Sequence, residues 1–327
     1  MIEFKGKSLR RACLTGAHRL AKVLRSVQPD IVHSHTDHPD LVVGLASRRT
    51  PINVARTIHN DGIWPTHRRT GRIAESAFGN ELAVCISKAT QRAYAELRGR
   101  YGLDRSPHEM YIPNGVPFYE GTDRLDRAAV ARAVRADAGR LLLCFAGRLT
   151  YQKGFDVLLS AMERLPASFL DRLELHVFGQ GEQLDGYVAR VQAGRLPVHF
   201  HRPVHGVSQM FSGFDAVVMP SRYEGLPLVA IESLAAGVPL IATTAPGLDE
   251  VLPSQWPLAV PPDDPKALVD VLIRLVDNRV DTEELTRRGA ARARDRYGLE
   301  RMVCAYEEAY CTYLERRDAA PDQLWKT

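Results

Sequence analysis

The stretch Tyr223–Gly237, YEGLPLVAIESLAAG, constrains this chain more than any other. Pro227 suits a helix start, where its missing N–H does no harm. Gly237 suits the stop, and Pro239 prevents continuation. The residues between are mostly apolar, so the pattern predicts a largely buried helix. FDAVVMPS before it reads as a strand, and VPLIATTAPG after it as a second strand ending in a glycine loop. Strand–loop–helix–strand is the unit of a doubly wound sheet, whose ligands lie at the carboxyl ends of the strands. Glu224 falls at such an end, and Glu232 lies one to two turns inside the helix. A helix N-terminus offers free N–H groups and a partial positive charge, which suit phosphate. A carboxylate beside it suits hydroxyl groups. Together they point to a ligand carrying both, such as a nucleotide sugar. The plainer alternative is that Glu224 caps the helix and Glu232 faces water.

The same unit recurs upstream. RLLLCFAG, residues 140–147, is a continuous apolar run fit for a strand buried on both faces. It leads through RLTYQKG into the amphipathic FDVLLSAMERL, which puts Arg148 and Lys153 in a strand-to-helix loop. Two cations there suit a diphosphate, or are solvated loop charges. LELHVFGQGE follows, a strand ending in the Gly179–Gly181 turn.

GRLTYQKG, VFGQGE, PSRYEGLPLVAIESLAAGVPLIAT and GLDEVL, in that order, resemble the pattern of the retaining glycosyltransferases of family 4, also called glycosyl transferases group 1. The resemblance is strong over Leu141–Leu275 and weaker beyond. It implies an α/β protein of the GT-B fold, with two Rossmann-like domains facing a cleft. It also implies a hexosyltransferase-like enzyme that moves a sugar from a nucleotide-sugar donor, such as a UDP- or GDP-sugar, to a glycan or lipid-linked acceptor. The expected setting is cell-surface polysaccharide, lipopolysaccharide or glycolipid synthesis. By the same resemblance, Arg148 and Lys153 grip the donor diphosphate, Glu224 touches the sugar hydroxyls and Glu232 holds the ribose. The backbone from Gly225 through Leu226, Pro227 and Leu228 to Val229 meets the phosphates. Gly179 lies against the nucleotide, and Phe200–Pro203, with Arg202, lies near its base. FHRPV departs from the family there, since a glycine often follows the first residue, and the choice of base stays open. No cofactor besides the donor is expected, and no metal, because two cations stand ready and no DxD-type acid pair is present. The leaving phosphate oxygen takes the acceptor proton on the same face, so no protein nucleophile is needed. A non-catalytic homologue that only binds nucleotide sugar, and a GT-B nucleotide-sugar epimerase, stay open as alternatives.

The first part of the chain resembles the acceptor side of the same family through PDIVHSH, RTIHN, CIS and IPNGV. His59 matches a histidine that faces the donor sugar, and it completes the expected catalytic set of Glu224, His59, Arg148 and Lys153. His35 ends a similar strand, and Ser87 and Asn114 are expected in the cleft or at the domain junction. His33, His35 and His38 have HxHxxH spacing, but a metal there finds no clear further ligand beyond Asp37. Before these strands, residues 8–27 show helical spacing, with Leu9, Cys13, Leu20, Val23 and Leu24 on one side. The family usually opens with a strand, a glycine-rich turn and a helix. Only about thirty residues precede DIVHSH, with no Gly-Gly turn. The N-terminal domain is therefore expected to lack its first strand and to expose an apolar edge, and the chain as given to be poorly active.

The expected domains are residues 1–117, 118–298 and 299–327, the last a helix crossing back to the first domain. The linker region 117–140 holds a turn and an alanine-rich helix. At 327 residues the chain exceeds one core. MIEFKGKSLRR lacks the apolar core of a secretory signal, and five scattered cysteines without CxxC suit a reducing compartment. A cytoplasmic place is expected. Residues 1–120 carry 18 Lys and Arg against 11 Asp and Glu, while the rest is net acidic. The basic half suits peripheral contact with an anionic membrane at its inner face. No basic stripe interleaved with aromatics suggests nucleic acid.

Overall fold

The computed structural model describes residues 9–35, 37–59, 68–119, 125–137 and 139–318. These form two compact units, Asn114–Arg301 and one made of Met1–Pro113 with Met302–Thr327. Each is a Rossmann-like α/β domain built on a sheet in which every strand pair is parallel.

In the first unit, β1 (Val32–His35), β2 (Val54–Ile58), β3 (Leu82–Cys85) and β4 (His108–Tyr111) lie side by side in chain order. Helices cover both faces. On one, Cys13, Ala17, Ala21 and Leu24 of the helix Leu9–Val27 pack with Leu41, Val42 and Ala46 of the helix Asp37–Ser47 and with Ile58 and Cys85 of the sheet. Val23, expected on that buried side, points out instead and is 54% exposed. Alanines line the contact, so the two helices approach closely and Val23 falls outside it. On the other face, Ala309 and Tyr313 of the helix Leu299–Asp318 cover Ala55, Leu82 and Val84. Ser87 starts the helix Lys88–Tyr101 with a reciprocal capping box to Thr90.

Among the described residues β1 is an edge strand, and the edge is not the expected apolar one. It is four residues long and reads Val-His-Ser-His. A short polar edge resists pairing with other chains.

The same unit buries charge. Arg56, in the middle of β2, is 1% exposed. Its guanidinium makes two bonds to Glu75, at 2.9 and 2.8 Å, and pairs with Asp40 at 2.9 Å. It also lies 4.6 Å from the centre of the Phe78 ring. Ser34 Oγ donates to Asp40 at 2.5 Å, and Arg98 donates to the Glu75 and Phe78 carbonyls. The acids hold the Arg56 guanidinium charged against the cost of burial. Removing one partner of such a set strands the others. Arg56→Met is therefore expected to lower unfolding free energy by about 3–5 kcal/mol, read from urea denaturation.

In the second unit, β5 (Leu141–Ala146), β6 (Leu173–Phe178), β7 (Val198–His201), β8 (Ala216–Met219), β9 (Leu240–Thr243) and β10 (Ala259–Val260) take the order β10-β9-β8-β5-β6-β7. Their central residues, including Leu142, Cys144, Val217 and Ile241, are fully buried. Continuous apolar strands of this kind need helices on both faces. From β5 the chain winds toward β6 in one direction, and β8 lies on the other side of β5. The order reverses between these two strands, which leaves a crevice at their carboxyl ends.

Candidate active site

Two loops meet at that crevice. Residues 147–154 leave β5 and lead into the helix Phe155–Met162, and residues 220–227 leave β8 and lead into the helix Leu228–Ala235. The predicted residues Arg148, Lys153, Glu224 and Gly225 to Val229 all fall on these two loops or the first turn of the second helix. Pro227 stands at the N-cap, one place before the helix, and Gly237 closes it at φ 71°.

Backbone contacts lock the loops together. Gly154 has φ 63°, and a β-carbon on it would overlap the Pro220 carbonyl. A β-carbon on Gly179, after β6, would overlap the Gly147 carbonyl. Only glycine permits either approach. The Arg222 N–H donates to Gln152 O at 2.8 Å, and the Glu224 N–H to Pro246 O, after β9, at 2.9 Å. Gly179 thus serves the packing of the loop that carries Arg148.

Glu224 is 5% exposed. Its Oε1 accepts from Lys153 Nζ at 2.6 Å and from Ser221 Oγ at 2.7 Å, and Gln152 Nε2 approaches Oε2 at 3.4 Å. A buried carboxylate needs such partners. Lys153 and Glu224, expected on different parts of a ligand, are here bound to each other. Arg148 is exposed, and its side chain makes no hydrogen bond or ion pair among the described residues. Glu232 is half-buried on the helix. Burial raises its pKa, opposed by a hydrogen bond from Ser208. Arg202 follows the edge strand β7 and is exposed.

Three side chains escaped the sequence reading. Ser221 and Gln152 hold Glu224. Arg222 donates to Tyr151 O at 2.6 Å, to Asp156 at 2.9 and 2.7 Å, and to Asp263 at 2.7 Å, with its guanidinium 4.0 Å from the centre of the Tyr151 ring. It ties the β8 loop to the β5 loop. Asp263, read as a turn residue, has φ 57° and faces Arg222, while Asp264 caps the helix Pro265–Val276. Ser221 stood inside the recognised motif. The partners of Arg222 lie 66 and 41 residues away, beyond the reach of spacing.

In the first unit, His59 follows β2 and is half-buried. Its Nε2 lies 2.9 Å from His35 Nδ1. His33 is hydrogen-bonded through both ring nitrogens, to Tyr310 at 2.6 Å and Thr57 at 2.8 Å. Those bonds occupy the lone pair a metal would need. Among the described residues no group of three His, Cys, Asp or Glu is arranged to hold a metal. Ser87 is the capping residue, fully buried. Asn114 is half-buried at the start of the second unit.

Residues 3–118 match the profile described as Glycosyltransferase Family 4, and residues 140–278 that described as Glycosyl transferases group 1. The chain is a glycosyltransferase of the family 4 type. A D-inositol 3-phosphate glycosyltransferase of Xylanimonas cellulosilytica is 29% identical over 316 residues, covering 89% of this chain and 73% of the relative. The putative teichuronic acid biosynthesis glycosyltransferase TuaC of Bacillus subtilis is 24% identical over 256 residues, covering 76% and 62%. Among solved structures, Anabaena HepE in complex with UDP-glucose superposes with a TM-score of 0.78 at 18% identity, over 90% of this chain and 82% of that one. That likeness is one of fold, shared with GT-B glycosyltransferases.

Arg222 holds both loops through a planar fork that lysine cannot copy. Arg222→Lys is expected to cost about 1–3 kcal/mol of stability, measured as a shift in urea midpoint at unchanged slope.

Proposed function

We propose that this glycosyltransferase transfers a sugar from a nucleoside diphosphate donor to a glycan or lipid-linked acceptor in cell-surface polysaccharide or glycolipid synthesis, with retention at the anomeric carbon. The observation that carries this is Arg148, without a side-chain hydrogen bond or ion pair among the described residues, on the same loop as Lys153, which pairs with Glu224 at the β5/β8 crevice. Breaking a sugar–phosphate bond builds negative charge on the departing diphosphate. Arg148, Lys153 and the N-terminus of the helix Leu228–Ala235 stabilise that charge. Lys153 turns from Glu224 toward the phosphate, and Glu224 then takes sugar hydroxyls. Glu232 is assigned to the ribose, Arg202 to the base side, and His59 to a hydroxyl of the donor sugar. The two cations do the work a divalent metal does elsewhere, so this scheme uses none. The UDP-glucose in complex with HepE supports the donor class, and the teichuronic acid biosynthesis named in the TuaC description supports the acceptor class.

Calorimetry with UDP, GDP and their sugars tests the donor site. Arg148→Ala or Lys153→Ala is expected to weaken diphosphate binding about tenfold or more. Glu224→Gln is expected to lower turnover about a hundredfold with diphosphate affinity nearly unchanged. Full affinity in both cation variants rejects the phosphate assignment.

For the acceptor side we assign the outward face of the helix Leu9–Val27 to an anionic membrane. It exposes His18, Arg19, Lys22 and Arg25 beside Leu14, Val23 and Val27. Basic and apolar side chains on one helix face suit a lipid interface. Among the described residues no helix is long and apolar enough to cross a membrane, so the proposed contact is peripheral, at the cytoplasmic leaflet. The protein is expected to sediment with phosphatidylglycerol vesicles at low salt and not with phosphatidylcholine vesicles. Charge reversal at Lys22 and Arg25 is expected to release it.

A further inference from the structure

One face of the first sheet carries a polar row that the function above does not use. Parallel pairing sets His33 opposite Ala55 and His35 opposite Thr57. Alternation along a strand places His33 and His35 of β1 on the same face as Thr57 of β2 and as His59 just beyond it. The row is anchored at its inner end. His33 is bonded at Nδ1 to Tyr310 and at Nε2 to Thr57, and Thr57 is bonded in turn to Tyr306 at 2.8 Å. A ring held at both nitrogens cannot spin. The His35 ring stacks on it, with centroids 4.3 Å apart and planes 26° from parallel. That stacking aims His35 Nδ1 at His59 Nε2, 2.9 Å away. His35 is otherwise exposed.

We propose that His35 is a positioning residue for this glycosyltransferase: by engaging Nε2 of His59 it fixes the tautomer of that ring and leaves Nδ1 as the nitrogen that meets a substrate hydroxyl. The proposal rests on the assignment of His59 to the donor sugar. Burial holds all three rings toward their neutral forms. The pKa of His33 falls to about 4 through burial and then through His35 and His59, and those of His35 and His59 are lowered chiefly by burial. A neutral pair shares one proton between Nδ1 and Nε2, so the two rings change tautomer only together. With the tautomer fixed, His59 offers a single hydrogen-bonding role at Nδ1. Without His35 it divides between donor and acceptor.

The test uses the full chain labelled with ¹⁵N-histidine, with variants His59→Ala, His35→Ala and His35→Asn. An asparagine amide can reach the place of Nδ1. Two-bond ¹H–¹⁵N spectra of the wild type are expected to show one His59 tautomer. His35→Ala should mix the two and lower kcat about tenfold on the UDP- or GDP-sugar that binds in the calorimetric panel. His35→Asn should restore most of both. If His59→Ala lowers turnover but His35→Ala keeps the wild-type tautomer, or His35→Asn is no better than His35→Ala, the positioning role is overturned while the assignment of His59 stands. If His59→Ala leaves turnover intact, that assignment fails, and the role of His35 in the reaction with it.

Discussion

The candidate site depends on main-chain contact between loops at the carboxyl ends of β5, β6, β8 and β9. Glycines at 154 and 179 let carbonyl groups approach where any side chain would collide. Backbone hydrogen bonds from Arg222 and Glu224 then fix the loop after β8 against its neighbours. A carboxylate and an ammonium can be held 2.6 Å apart and largely out of water only on such a frame. The ion pair follows from the loops. The loops follow from the reversal of strand order between β5 and β8.

The two units handle burial differently. The second keeps β5, β8 and β9 apolar except for the terminal Thr243, buries Glu174 and His176 inside β6, and carries the site's charged residues at strand ends. The first carries charge inside, with Arg56 and Arg98 held by Asp40, Glu75 and Glu81, and a histidine–threonine–tyrosine row on the opposite face of its sheet. Buried polar groups tolerate few alternative arrangements, because each must keep its partners. The polar row gives the short β1 a fixed place although only β2 flanks it among the described residues.

Much of this was legible in the chain. RLLLCFAG read as a buried strand and is β5, because a strand covered on both faces leaves a continuous apolar trace, and LELHVFGQGE read as a strand before a glycine turn and is β6. The helix Leu9–Val27 showed itself by helical spacing, and Leu299–Asp318 lies where a last helix was expected. The helices Asp37–Ser47 and Arg68–Glu75 did not stand out. The first is short and shows no clear polar face, and the second is rich in arginine. Arg148, Lys153 and Glu224 were legible as loop residues of a recurring motif. The mutual binding of Lys153 and Glu224, the clamp by Arg222 and the burial of Arg56 were not, since each joins residues far apart in sequence.

The sequence alone determined the element types of the second half, the placing of Arg148, Lys153 and Glu224 at strand ends, and the family pattern that joins them. These are local properties, set by hydrophobic period, by turn chemistry and by the order of short motifs. Tertiary structure decided which charges meet. It paired Lys153 with Glu224, sent Arg222 to Asp156 and Asp263, turned Val23 outward and set His35 against His59. The physical reason is that a hydrogen bond or ion pair depends on atoms a few ångströms apart. That separation exists only once sheet order and strand register have brought distant loops together.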